Sequence, residues 1–235
     1  MKIKLKSLFF YIFLNIITLH IINGQEEMEL KLDFVVKFNK DPLKKHKWYI
    51  SDTKDSLQIS VLKFYLTNFE LKYKTKSIPL VGQNYLIDCF NKKEVKLKIP
   101  KIDLKNDVYL ICDLGVDEKL NTSGANSKDL DPVNGMFWSW QSGYINFKIE
   151  GISPSCNTRK NRFIFHIGGY KSPFETIQKL SFKLKNINDN HLLIDLELSN
   201  FFDLLDLNNE NQITTTGENA SRISDQLKLI FNASK

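Results

Sequence analysis

The chain is 235 residues long, with a formal charge of +6 and 42% hydrophobic content. Apolar content on this scale supports one substantial core, and all-β domains reach this size without dividing. The basic excess does not point to nucleic acid, because Lys2, Lys4 and Lys6 lie in a segment expected to be removed, which lowers the charge to +3, and the remaining lysines are scattered.

The first 24 residues read as a secretory signal peptide: a short basic start, the uncharged apolar run LFFYIFLNIITLHII, and a small-residue exit at Asn23-Gly24-Gln25. The run is too short and too terminal for a membrane span. No cysteine stands at its exit to carry a lipid, so the expected product is residues 25–235, one periplasmic or secreted domain without stable membrane insertion. His20 would leave with the leader.

Alternation dominates the mature chain. Leu30, Leu32, Phe34, Val36 and Phe38 share one face of a predicted strand, with Lys31, Asp33, Val35 and Lys37 on the other. The same period runs through Leu57-Ile59-Val61, then changes phase at Leu62-Phe64-Leu66, which predicts a bulge or a crossing between sheets. It returns around Leu97, Leu110, Phe147, Phe165, Phe182 and Ile194. Eight or more hairpin-linked strands with two apolar inner faces predict an all-β fold, an antiparallel β-sandwich. Residues 117–134 read as a long polar loop. A short apolar helix from Phe201 to Leu207, and a last helix carrying Ile223, Leu227, Ile230 and Phe231, supply a C-terminal helical segment that caps one end. Cys89, Cys112 and Cys156 allow at most one internal disulfide, and otherwise read as small buried apolar residues or soft copper ligands.

Two stretches carry chemistry. In Asp129-Leu130-Asp131-Pro132-Val133-Asn134-Gly135, aspartates hold a Pro-Asn-Gly turn, and a strand beginning after Gly135 would put Met136, Trp138 and Trp140 on one face. A thioether and two indoles on one face form either a redox-sensitive surface or plain core. The second stretch is Phe163-Ile164-Phe165-His166-Ile167-Gly168-Gly169-Tyr170. There His166 is out of phase with its apolar neighbours, and the glycines suggest open backbone around a candidate metal ligand. His46 is a second candidate imidazole, although three lysines flank it; His191 reads as an exposed turn residue. No GxSxG, HExxH, GxxxxGK[ST] or CxxC pattern occurs, so the chain is not expected to be an enzyme.

LDPVNGMFWSWQSGYINFKIEG and, after it, FIFHIGGY resemble the paired signature of the MbnP-like family, and LDFVVKFN, VLKFYLTNFEL and ICDLGVDEKLNTSGA fit its upstream segments. The resemblance spans nearly the whole mature chain. It implies an exported copper-binding or copper-handling protein. A tryptophan, here Trp138 or Trp140, would be oxidised to kynurenine by a partner dihaem cytochrome c peroxidase of the MbnH type, and would hold copper together with His166 and a second ligand such as His46. Asp131, Met136 and Tyr144 would support that site. A different class of function also fits the residues: a non-metal binding module in which Trp138, Trp140 and Tyr144 form an aromatic platform for a glycan or a protein.

Overall fold

The computed structural model describes residues 26–102, 107–124, 126–139, 141–184, 189–203 and 205–233. The expected leader, residues 1–24, and Trp140 therefore lie outside the described residues.

The elements run in order as β1 (Glu27–Phe38), β2 (Asp41–Pro42), β3 (Trp48–Ile50), β4 (Ser56–Tyr73), β5 (Lys76–Pro79), β6 (Tyr85–Asp88), β7 (Glu94–Pro100), β8 (Val108–Leu114) and α1 (Glu118–Thr122). Then come β9 (Phe137–Ser139), β10 (Gly143–Tyr144), β11 (Phe147–Ile152), β12 (Arg162–Ile167), β13 (Gln178–Lys183) and β14 (His191–Glu197). The chain closes with α2 (Ser199–Phe202), β15 (Gln212–Ile213), α3 (Glu218–Leu227) and β16 (Phe231–Ala233). Among the described residues no helix is long and apolar enough to cross a membrane.

Two sheets carry the core. One runs β16-β14-β1-β2, with β7 also on β1; the other runs β13-β8-β4-β11-β12-β15, with β3, β5 and β6 also on β4. Period-2 patterning decides what each strand buries: in β1 the residues Leu30, Leu32, Phe34, Val36 and Phe38 are buried as expected, and Phe34 meets Phe64 of the second sheet edge-on at 5.6 Å. Rings from α2 fill the end of this core, Phe201 against Phe147 and Phe202 against Phe163, at 5.8 and 5.4 Å. Each such fully buried ring contributes about 2–3 kcal/mol of transfer free energy. The amphipathic α3 lays Ala220, Ile223 and Leu227 against β12 and β13 as the expected cap, but it stops at Leu227: Ile230 falls in a 3-10 turn and Phe231 opens β16, which pairs with β14.

Three departures have physical causes. The sandwich is mixed rather than purely antiparallel: β1 pairs with β14, and β12 with β15, in parallel. Local periodicity is the same for either direction, so only the chain's long return connections decide it. The phase change in β4 is a bulge at Ser60, since Ile59 and Val61 face the adjacent Gly151 and Glu150 of β11. A Cβ on Gly151 would come within 1.9 Å of the Gln58 carbonyl oxygen, so the bulge closes only over a glycine. Finally, residues 117–134 are not one loop. Asp117 caps α1 by accepting from the Leu120 amide at 2.8 Å, and two 3-10 turns come next, Lys128–Leu130 and Pro132–Asn134.

Candidate functional site

The outer face of the second sheet carries a second, smaller apolar cluster. Tyr65 of β4 turns its ring away from the main core, where it packs with Leu86, Val116, Leu130, Met136, Tyr144 and Ile145. Leu120, Phe137 and Trp138 pack against this group from the side. The covering piece is the β9–β10 hairpin with the two turns before it. Asp131 caps the second turn by accepting from the Val133 amide at 2.9 Å, and Gly135 ends it with a left-handed φ of 70°. Asp131 therefore shapes the approach to the hairpin. Asp129 fastens it, accepting from the Leu86 amide at 3.0 Å and from Lys92 at 2.7 Å.

Met136 is fully buried here, and Tyr144 donates from its hydroxyl to the Leu130 carbonyl at 2.6 Å. Burial pushes the hydroxyls of both Tyr65 and Tyr144 up from their ordinary range. Tyr144 is only 2% exposed, so it cannot present a ring to a glycan or protein, and the expected aromatic platform loses that member. Met136 and Trp138 do join the same cluster, as alternation predicts. Phe137 joins it too, with its ring 4.9 Å from that of Tyr144, because the strand is too short to hold strict alternation.

Trp138 lies across Gly168. A Cβ there would sit 2.8 Å from Trp138 Cζ3 and 2.4 Å from the Tyr144 carbonyl oxygen, while one on Gly169 would meet the Phe174 carbonyl oxygen at 2.4 Å. The expected open backbone at Gly168-Gly169 is thus corrected: both glycines are covered, and lacking a side chain is what lets the indole and the Phe174 loop close on them. His166 stands on the outer face of β12 opposite Lys148 in β11, and Gly168 follows two residues later, just past the end of the strand. The Nε2 atom of His166 is 2.8 Å from Glu150 Oε1, and its side chain is 16% exposed. Lys148 Nζ lies 3.4 Å from Glu150 Oε1 and Arg162 Nη2 lies 3.5 Å from Oε2. Led by the His166 hydrogen bond and helped by Lys148, these partners outweigh burial and hold the Glu150 carboxyl down to about 2.

His46 is elsewhere. It lies in the loop before β3 with a φ of 61°, and its amide donates to Ile59 at 3.2 Å. Gln58 pairs with Trp48 on one edge of β4 and with Ile152 on the other, so β3 and β11 flank opposite edges. Three strand spacings and four residues of rise then separate the backbones of His46 and His166 by roughly 20 Å. The structure does not bring His46 to the site. His191 pairs with Asp33 at 2.6 Å on the other sheet. Cys89, Cys112 and Cys156 are free and buried, so no internal disulfide joins them, and burial raises each thiol, that of Cys156 to about 11. Protonated thiols are poor copper ligands. Among the described residues no three of His, Cys, Asp and Glu gather as a ready-made metal cage.

A family model for MbnP matches residues 27–218. The chain belongs to the MbnP family. The solved structure of MbnP from Methylosinus trichosporium superposes with a TM-score of 0.56 at 14% sequence identity, covering 78% of this chain and 80% of that one. At that identity the likeness speaks for the fold. A search of curated proteins gave no significant match.

Within this family fold, sequence reasoning missed a polar lattice that locks the hairpin to the sheets. Asn146 accepts from the Val116 amide and donates to Thr176 Oγ1, both at 2.9 Å, and Thr176 donates to the Gly169 carbonyl at 3.2 Å. Asn121 accepts from the Tyr144 amide at 2.9 Å and donates to the Val116 carbonyl at 2.8 Å. Gly115 and Gly143 have no room for a Cβ against these two amides, at 2.7 and 2.1 Å. Asparagine usually marks a turn in a sequence, so nothing local flagged two buried ones. Glu150 was also missed. Its alternation with Lys148 was visible, but its meeting with His166 depends on the β11–β12 register.

Proposed function

We propose that this MbnP-family chain is an exported copper-binding or copper-handling protein, in which Trp138 or Trp140 is oxidised to kynurenine by a partner dihaem peroxidase. The chain acts as the substrate of that oxidation, not as its catalyst. One observation carries the proposal: the Trp138 ring rests on Gly168, two residues along the chain from His166 and just past the end of β12.

The residues fit a copper ion held by a single protein imidazole. A neutral imidazole suits copper, and Glu150 offsets the charge of Lys148 and Arg162. Kynurenine offers an aromatic amine and a carbonyl where indole has neither, so oxidation beside His166 would add donors to it. His46 has no part in this site.

Intact mass of the exported protein, made together with a dihaem peroxidase, should show conversion of one tryptophan, and peptide mapping should assign it to 138 or 140. Elemental analysis should find copper in that material and much less in His166→Ala. An unmodified mass together with equal copper in both forms would refute the proposal.

A further inference from the structure

We propose that Glu150 is a positioning residue for His166: it takes the hydrogen on Nε2, leaving Nδ1 as the donor nitrogen on the side of the indole hairpin. This rests on the copper reading for its use, but the tautomer it specifies belongs to the protein alone.

An ionised carboxylate only accepts hydrogen bonds, so at 2.8 Å from Glu150 Oε1 the Nε2 atom must carry hydrogen. In a neutral imidazole the free lone pair is then on Nδ1. The carboxylate is itself held on both oxygens, by Lys148 at Oε1 and by Arg162 at Oε2, and its backbone carbonyl accepts from Ser60 at the β4 bulge, at 3.1 Å. It cannot readily swing to track the ring. Register sets the direction. Glu150 faces Ile164, on the Arg162 side of His166, whereas Trp138 lies at Gly168, on the other side. The two ring nitrogens point in roughly opposite directions, so tying Nε2 toward Arg162 turns Nδ1 toward the indole. Lys148 joins the two halves, since its Nζ also donates to the Gly135 carbonyl at 3.1 Å, where the chain enters the hairpin. Ligating histidines commonly have one nitrogen fixed by such a carboxylate.

The test is two-bond proton–nitrogen correlation NMR on the full chain above the imidazole titration, then copper(II) titration of protein made with the dihaem peroxidase. Wild type should show the Nε2–H tautomer at His166. Glu150→Gln keeps an acceptor oxygen and should keep the tautomer, with a smaller loss of affinity because its amide no longer offsets Lys148 and Arg162, whereas Glu150→Ala should give mixed tautomers and an affinity loss of about 10–100-fold. Should the alanine variant fail to fold, Glu150→Asp, whose carboxylate falls short of Nε2, takes its place. An unchanged tautomer in Glu150→Ala, or in Glu150→Asp where that replaces it, overturns the inference. The expected tautomer change with no copper bound by wild type supports the positioning role and overturns the copper reading instead.

Discussion

Gly168 is the residue on which the site closes. Its missing side chain is the space that Trp138 occupies, and one of the two blocking atoms is a backbone oxygen of Tyr144 that has no rotamer to escape to. Gly168→Ala should therefore lift the hairpin, destabilising the protein by about 1–3 kcal/mol. Urea denaturation would measure this, and tryptophan emission should shift to the red as Trp138 meets water. Unchanged emission would mean that the indole has another seat. Much of this residue-scale picture was legible: Asp131 and Gly135 form the turn that their order implies, and His166 is out of phase with the core as β12's alternation requires. The seat on Gly168 was not, because a glycine pair reads equally well as exposed or as covered. Only the partner's position decides it.

At the scale of elements, buried amides join the hairpin region to the sheet alongside its apolar cluster. Asn146 serves α1's approach through the Val116 amide and the Gly168-Gly169 corner through Thr176. Asn146→Ala would leave the Val116 N–H without its buried partner, at about 1–3 kcal/mol, while the Thr176 hydroxyl keeps its bond to the Gly169 carbonyl. Hydrogen exchange should then quicken in α1 and β10 before it does in β1 or β14; uniform acceleration would show that the lattice is not a separable joint. Strands were readable because half-buried ladders print a period of two on the sequence. The short helix α1 was not readable by periodicity, since its buried member is Asn121 and its sides are polar. Its signal was the cap at Asp117. The parallel partners of β1 and β12 left no local trace at all.

For the whole molecule, the outer face of the second sheet ties acid stability to the site. Glu150 is held down to about 2 in the fold against an ordinary value of 4.5, so the unfolded chain binds its proton more readily. The stabilisation is fully present above about 4.5 and is lost as pH falls toward about 2. Glu150→Gln should flatten that part of the stability curve, measured by denaturation midpoints at stepped pH, and leave the neutral range nearly parallel to wild type. An equally steep acid limb in the variant would assign the loss to other carboxylates.

The division between the two apolar clusters has a further consequence. Trp138 belongs to the satellite group, with the whole thickness of the second sheet between it and the rings of Phe34, Phe64 and Phe147. A side chain opened and made polar at that place unsettles one flap and nothing beneath it. The architecture thus offers a sacrificial ring: chemistry that would wreck a protein if performed at its centre can be carried out on a surface annex, with the scaffold intact before and after.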